Sequence, residues 1–178
     1  MNTANKLTIF RILLVPLFVY LLYCQTAVMR YWALAVFIIA AITDFVDGYV
    51  ARNYDQITNL GKLLDPVADK ILVVSALIAF VDLSEIPGWI VIVIISRDFF
   101  VDVLRMNAAA QGIVLAAGKW GKLKTVVQMV AIILILANNY PAVMINLPLD
   151  QITLYLAVFL TVLSGAEYTV ANWRKLNL

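Results

Sequence analysis

The chain has 178 residues, of which 64% are hydrophobic and only 13% are charged, with a formal net charge of +2. Soluble domains carry about 25% charged residues, so this composition excludes an ordinary water-soluble globule and implies an integral membrane protein. No nucleic acid is expected as a partner.

Apolar runs long enough to cross a hydrocarbon core as helices, which takes roughly 20 residues, lie near 7–24, 31–51, 63–81, 86–104, 123–139 and 149–171. The sequence therefore predicts an all-α integral membrane protein, a bundle of six transmembrane helices forming a single domain over 1–178. The first run is too long for a signal-peptide core and has no small-residue cleavage site, so it is expected to stay attached. Cys24, the single cysteine, reads as an apolar filler that cannot form an intrachain disulfide. Histidine is absent, so any chemistry falls to carboxylates, Lys, Arg and hydroxyls. "EIPGW" at 85–89 and "NNYPAVMINLPLD" at 138–150 carry the Pro, Gly and Asn expected of turns between spans. The chain shows no internal repeat.

An even number of spans puts both termini on one side, together with Lys6, Arg11, Arg52, Lys62, Lys119, Lys122, Lys124, Arg174 and Lys175. The opposite loops hold Arg30 beside Asp82, Glu85 and Asp150. Lys and Arg accumulate on the cytoplasmic side. The termini and basic loops are therefore expected to face the cytoplasm.

The most unusual stretch in this apolar chain is "DFVDGYVAR" at 44–52. At 3.6 residues per turn, Asp44, Asp47, Gly48 and Ala51 share one helix face, as do Asp65 and Asp69 on the next span. Four converging carboxylates cannot all stay ionised in a low-dielectric site without compensation. One or two divalent cations supply it. Oxygen-only ligation suits a hard ion, Mg²⁺ or Mn²⁺, better than Zn²⁺. Gly48 and Ala51 leave room beside the acids, and Arg52 offers a planar cation for a phosphate. Pro66 is compatible with one helix carrying both Asp65 and Asp69 if that helix starts near Gly61, where the missing N–H falls in the first turn. The plainer alternative pairs the acids with Arg52, Lys62 and Lys70 at the membrane interface. It accounts for any one Asp better than for all four.

Written out, the segment is Asp44-x2-Asp47-Gly48-x2-Ala51-Arg52-x8-Gly61-x3-Asp65-x3-Asp69, which resembles without departure the signature of the CDP-alcohol phosphatidyltransferases. The resemblance implies that Asp44, Asp47, Asp65 and Asp69 hold the metal centre against the pyrophosphate of CDP-diacylglycerol, with Asp69 also the general base. It further implies a donor site of Gly48, Ala51, Arg52 and Gly61, joined by Asn5 and Thr8, two residues that serve equally well as helix caps. "NKLTIFRILLVP" at 5–16, "SRDFFVDVLR" at 96–105 and "GKLKTVVQM" at 121–129 extend the resemblance and imply sn-glycerol 3-phosphate as the acceptor. One departure is Asp98, where many members have Glu. The family likeness also implies a bacterial cell-membrane location, a cytoplasmic active site, contact with membrane lipids and a homodimer.

An acceptor with its own phosphate needs cations away from the metals. Arg97, Arg105 and Lys122 are the candidates, with Lys119 and Lys124 ranked lower. The alternatives are an ion pair of Arg97 with Asp98 or Asp102, and lysines that anchor the chain to anionic headgroups. Trp89, Trp120 and Trp173 read as interface anchors, while Ser164 and Gly165 offer a close helix contact, including one between two copies. Two other functions remain: transfer to phosphatidylglycerol, serine or inositol phosphate, and divalent-cation transport, which the one-sided placement of the acids disfavours.

Overall fold

All six apolar runs are helical in the computed structural model, and most helices extend beyond the apolar stretch that predicts them. They are α1 (Thr3–Tyr23), α2 (Ala27–Asn53), α3 (Asn59–Asp82), α4 (Gly88–Ala110), α5 (Lys119–Leu136) and α6 (Leu149–Asn172), with a 3₁₀ turn at Ala142–Ile145. The structure describes the backbone of residues 3–53, 59–113 and 118–172, and the side chains of 9–43, 70–113 and 118–172. Among the described residues there is no strand.

The helices form two compact units, Met1–Glu85 and Ile86–Leu178. In the first, α1 packs on both α2 and α3, and α2 touches α3. Arg11, Val15, Phe18 and Leu22 make the buried stripe of α1, at the three- and four-residue steps that keep side chains on one face. Opposite lie Ala33, Phe37 and Ala40 on α2, and Ala76, Ala79 and Phe80 on α3. The alanines let the backbones approach, and the phenyl rings fill the space between them. Phe18 and Phe37 meet with centroids 5.8 Å apart.

The loop ends of this unit are closed by specific bonds. Thr26 caps α2, its Oγ1 accepting from the Met29 N–H at 3.3 Å. At the end of α3 the Ser84 N–H donates to the Val81 carbonyl and the Glu85 N–H to the Phe80 carbonyl, with Ser84 at φ 60°. This paired closure satisfies carbonyls that the helix leaves open. It also sets Glu85 where its carboxylate takes both terminal nitrogens of Arg30, one of them at 2.8 Å. The one cation assigned to this side of the membrane is therefore used within the fold.

Pro66 corrects an expectation. Helix α3 starts at Asn59 rather than at Gly61, so Pro66 falls beyond the first turn. The helix nevertheless continues through it, and α1 likewise continues through Pro16. One missing N–H costs one backbone bond, which neighbouring helices in a bundle tolerate.

In the second unit α6 packs against both α5 and α4. Its buried face runs Leu154, Ala157, Val158, Thr161, Ser164, Tyr168 and Asn172. The α5 face opposite carries Lys124, Gln128, Ala131, Ile132 and Ile135. Asn139 organises the return to α6: its side-chain amide donates to the Leu147 carbonyl at 2.7 Å, and its Oδ1 accepts from the Asp150 N–H in the first turn of α6. Helix α4 ends as α3 does, with Gly112 at φ 73° donating to Ala109 and Ile113 to Ala108. Ile113 then packs on the cluster of Val101, Leu104, Ala108 and Tyr168.

Among the described residues, α6 is long and apolar enough to cross a membrane, while Ile9–Tyr23 and Ala27–Thr43 are shorter apolar stretches. The outward faces are apolar as well: Leu13, Ile92 and Phe159 are each more than 60% exposed. A helix that is hydrophobic all round belongs in a core or a membrane.

Candidate active site

The residues assigned from sequence to the metals and the donor all fall in the first unit. Asp44, Asp47, Gly48, Ala51 and Arg52 lie on α2, and Gly61, Asp65 and Asp69 on α3. Uninterrupted helix over both segments preserves the register that puts Asp44, Asp47, Gly48 and Ala51 on one face and Asp65 with Asp69 on another. The side chains of these residues, and of Asn5 and Thr8, lie outside the described residues, and so does the backbone of 54–58 between the two helices. Asn5 and Thr8 are on α1, the helix that packs against both α2 and α3. Helix α1 already starts at Thr3, so both residues lie within the helix rather than at the position flanking it. Among the described residues no group of three or more His, Cys, Asp or Glu could hold a metal. The donor set of the acidic segment is made only of carboxylates, and it fits a hard divalent ion.

A second charged cluster occupies the other unit. Positions 97 and 98 interrupt the apolar face of α4 between Ile94 and Val101. Asp98 accepts from Lys124 Nζ with both carboxylate oxygens, at 2.9 and 2.8 Å, and from Arg97 Nη1 at 3.0 Å. Lys124 is 3% exposed. It is an interior residue, neither a headgroup anchor nor a free surface charge. The register of α5 puts 124, 128, 131 and 135 on one stripe with 122 well off it, and packing against α6 decides that this stripe is the buried one.

Arg97 passes beside two glycines. A β-carbon at Gly165 would come within 3.1 Å of Arg97 Cγ, and one at Gly121 within 3.6 Å of its Nη2. Arg97 Nε is buried with no hydrogen-bond partner among the described residues. Gly165 is thus used inside the chain, and so is Ser164, which is 1% exposed and bonds the Thr161 carbonyl. The close helix contact expected at these two positions is made within the chain.

The remaining acceptor candidates stand apart. Arg105 is exposed and lies 5.9 Å from the centre of the Tyr168 ring, within cation–π range. Lys122 and Lys119 are exposed at the start of α5. Of the three residues assigned to the acceptor phosphate, only Arg97 joins the buried cluster. Trp89 stacks on Tyr155 at 6.3 Å near the far ends of α4 and α6.

The profile of the CDP-alcohol phosphatidyltransferase family matches residues 1–163, and the chain belongs to that family. Similar proteins carry a more specific name. The chain is 43% identical over 187 residues to the CDP-diacylglycerol--glycerol-3-phosphate 3-phosphatidyltransferase of Bacillus subtilis (strain 168), covering 98% of this chain and 97% of that protein. It is 36% identical over 168 residues to the protein of that name from Rickettsia typhi, covering 94% of each. The one from Haemophilus influenzae is 38% identical over 174 residues, covering 94% of this chain and 91% of that protein.

Proposed function

We propose that the protein transfers the phosphatidyl group of CDP-diacylglycerol to sn-glycerol 3-phosphate, giving phosphatidylglycerol phosphate and CMP. The observation that carries this reading is the near full-length likeness to a transferase of that name at 43% identity. The complete acidic signature on α2 and α3 agrees with it.

Attack of an alcohol on a phosphoric anhydride needs a deprotonated nucleophile, neutralised phosphoryl oxygens and a stabilised leaving group. Asp69 takes the proton of the acceptor hydroxyl as that oxygen attacks the lipid-bearing β-phosphorus. The bond from this phosphorus to the oxygen bridging it to CMP breaks, and CMP leaves. Asp44, Asp47, Asp65 and Asp69 would hold Mg²⁺ or Mn²⁺, which supplies charge neutralisation for the pyrophosphate and the leaving group. Gly48 and Ala51 make room for the cytidine, Arg52 meets a phosphate, and Gly61 belongs to the same donor site. Asn5 and Thr8 complete the donor site from α1. Transfer is direct, since neither Cys nor His is available as a nucleophile beside the acids. Arg97, Arg105 and Lys122 receive the phosphate of the acceptor.

The six helices serve as six membrane spans of one domain, in the bacterial inner membrane, with the termini and the active site on the cytoplasmic side. Helix lengths of 18 to 27 residues support this, as do the apolar outer faces and the concentration of Lys and Arg on one side.

The deciding experiment measures CMP release from CDP-diacylglycerol by purified protein with Mg²⁺ or Mn²⁺, comparing glycerol 3-phosphate, inositol phosphate, serine and phosphatidylglycerol as acceptors. Release with glycerol 3-phosphate alone is expected. Release only with another acceptor would overturn the acceptor assignment while leaving the donor chemistry intact.

A further inference from the structure

Neighbouring residues on a helix point about 100° apart, so Arg97 and Asp98 do not meet by register alone. The Arg97 guanidinium nevertheless turns to bond Asp98 through Nη1 at 3.0 Å, and the two glycines leave space for its side chain. Among the described residues the Arg97 Nε–H is buried without an acceptor, a costly state that calls for an explanation. Asp98 meanwhile uses both oxygens on Lys124 of α5. Two cations thus share this one carboxylate.

We propose that Asp98 is a positioning residue for the acceptor: it holds the Arg97 guanidinium beside α5 and α6 in the conformation that receives the phosphate of glycerol 3-phosphate. Gly165 is the second part of the device, since it gives the Arg97 stem its path. The proposal rests on the reading of Arg97 as an acceptor contact.

The test uses the full-length enzyme in detergent, with separate KM values for acceptor and donor. Asp98→Asn is expected to raise the acceptor KM about tenfold, the size of one charged hydrogen bond lost, with kcat and the donor KM changing less than about twofold. Asp98→Glu is expected to stay within about threefold of the unmodified enzyme, because it restores the charge. In an Arg97→Ala background, adding Asp98→Asn should have little further effect, as it must if Asp98 acts through Arg97. Acceptor and donor KM rising together, or full additivity with Arg97→Ala, would overturn the proposal. An unchanged acceptor KM in Arg97→Ala would remove the acceptor reading itself. A raised one there beside an unchanged one in Asp98→Asn would remove only the positioning role. Should Asp98→Asn fail to fold, Gly165→Ala displaces the Arg97 stem by a few tenths of an ångström and must raise the acceptor KM selectively. No change in that variant overturns the proposal equally.

Discussion

Asp69 and Lys124 illustrate two different ways a charge is held in an apolar chain. Asp69→Asn keeps the shape of the side chain but removes the proposed proton acceptor, and a positioned base is worth about 10² to 10⁴ in rate. Turnover is expected to fall by at least that factor while CDP-diacylglycerol affinity, measured by calorimetry, stays within about threefold. Normal turnover would reject Asp69 as the base. Lys124→Met leaves Asp98, itself a quarter exposed, with Arg97 alone, and losing a charge-assisted hydrogen bond costs about 2 kcal/mol. A lowered thermal midpoint is expected for Lys124→Met and not for Lys122→Ala, whose site is exposed. Lys122→Ala should instead raise the acceptor KM. The two lysines are equivalent in composition and differ only in which face of α5 is buried.

Helix ends carry their own determinants. Gly112 sits at φ 73°, and a β-carbon added there would meet nothing within 4 Å, so Gly112→Ala isolates backbone strain from steric clash. The expected loss is about 1 kcal/mol, read as a lower midpoint in a thermal melt, and Gly112→Asn should lose less because Asn tolerates the left-handed region. Equal stability of the two variants would contradict the backbone argument. A glycine after an apolar run is a legible stop signal. Ser84 and Asn138, which take the same left-handed conformation after α3 and α5, carry a weaker signal. Their conformation follows from the 6→1 and 5→2 bonds that close those helices.

Across the whole molecule, the proposed chemistry and the proposed topology make separate demands. Removal of divalent ions with a chelator is expected to abolish CMP release, with Mg²⁺ or Mn²⁺ restoring it and Ca²⁺ doing so poorly, because phosphoryl transfer favours the smaller octahedral ions. Full activity in the chelator would reject the metal assignment. The topology is tested in a Cys24→Ser background with single cysteines at exposed positions on either side. An impermeant maleimide added to intact cells should label Gln151→Cys, and label Lys119→Cys only after permeabilisation. The opposite pattern would invert the chain in the membrane.

By itself the sequence determined the helices and the family, and it carries the acidic spacing on which the proposed donor chemistry rests. Apolar runs and a fixed acidic spacing are local properties, and the register linking Asp44 to Asp47 and Asp65 to Asp69 follows from helix geometry alone. Tertiary structure decided which charges are interior. Lys124 is buried because α5 turns that face towards α6, and Gly165 faces Arg97 because α6 packs on α4. Both facts depend on contacts between helices far apart in the chain, and a residue's type and spacing do not specify which neighbour it will meet.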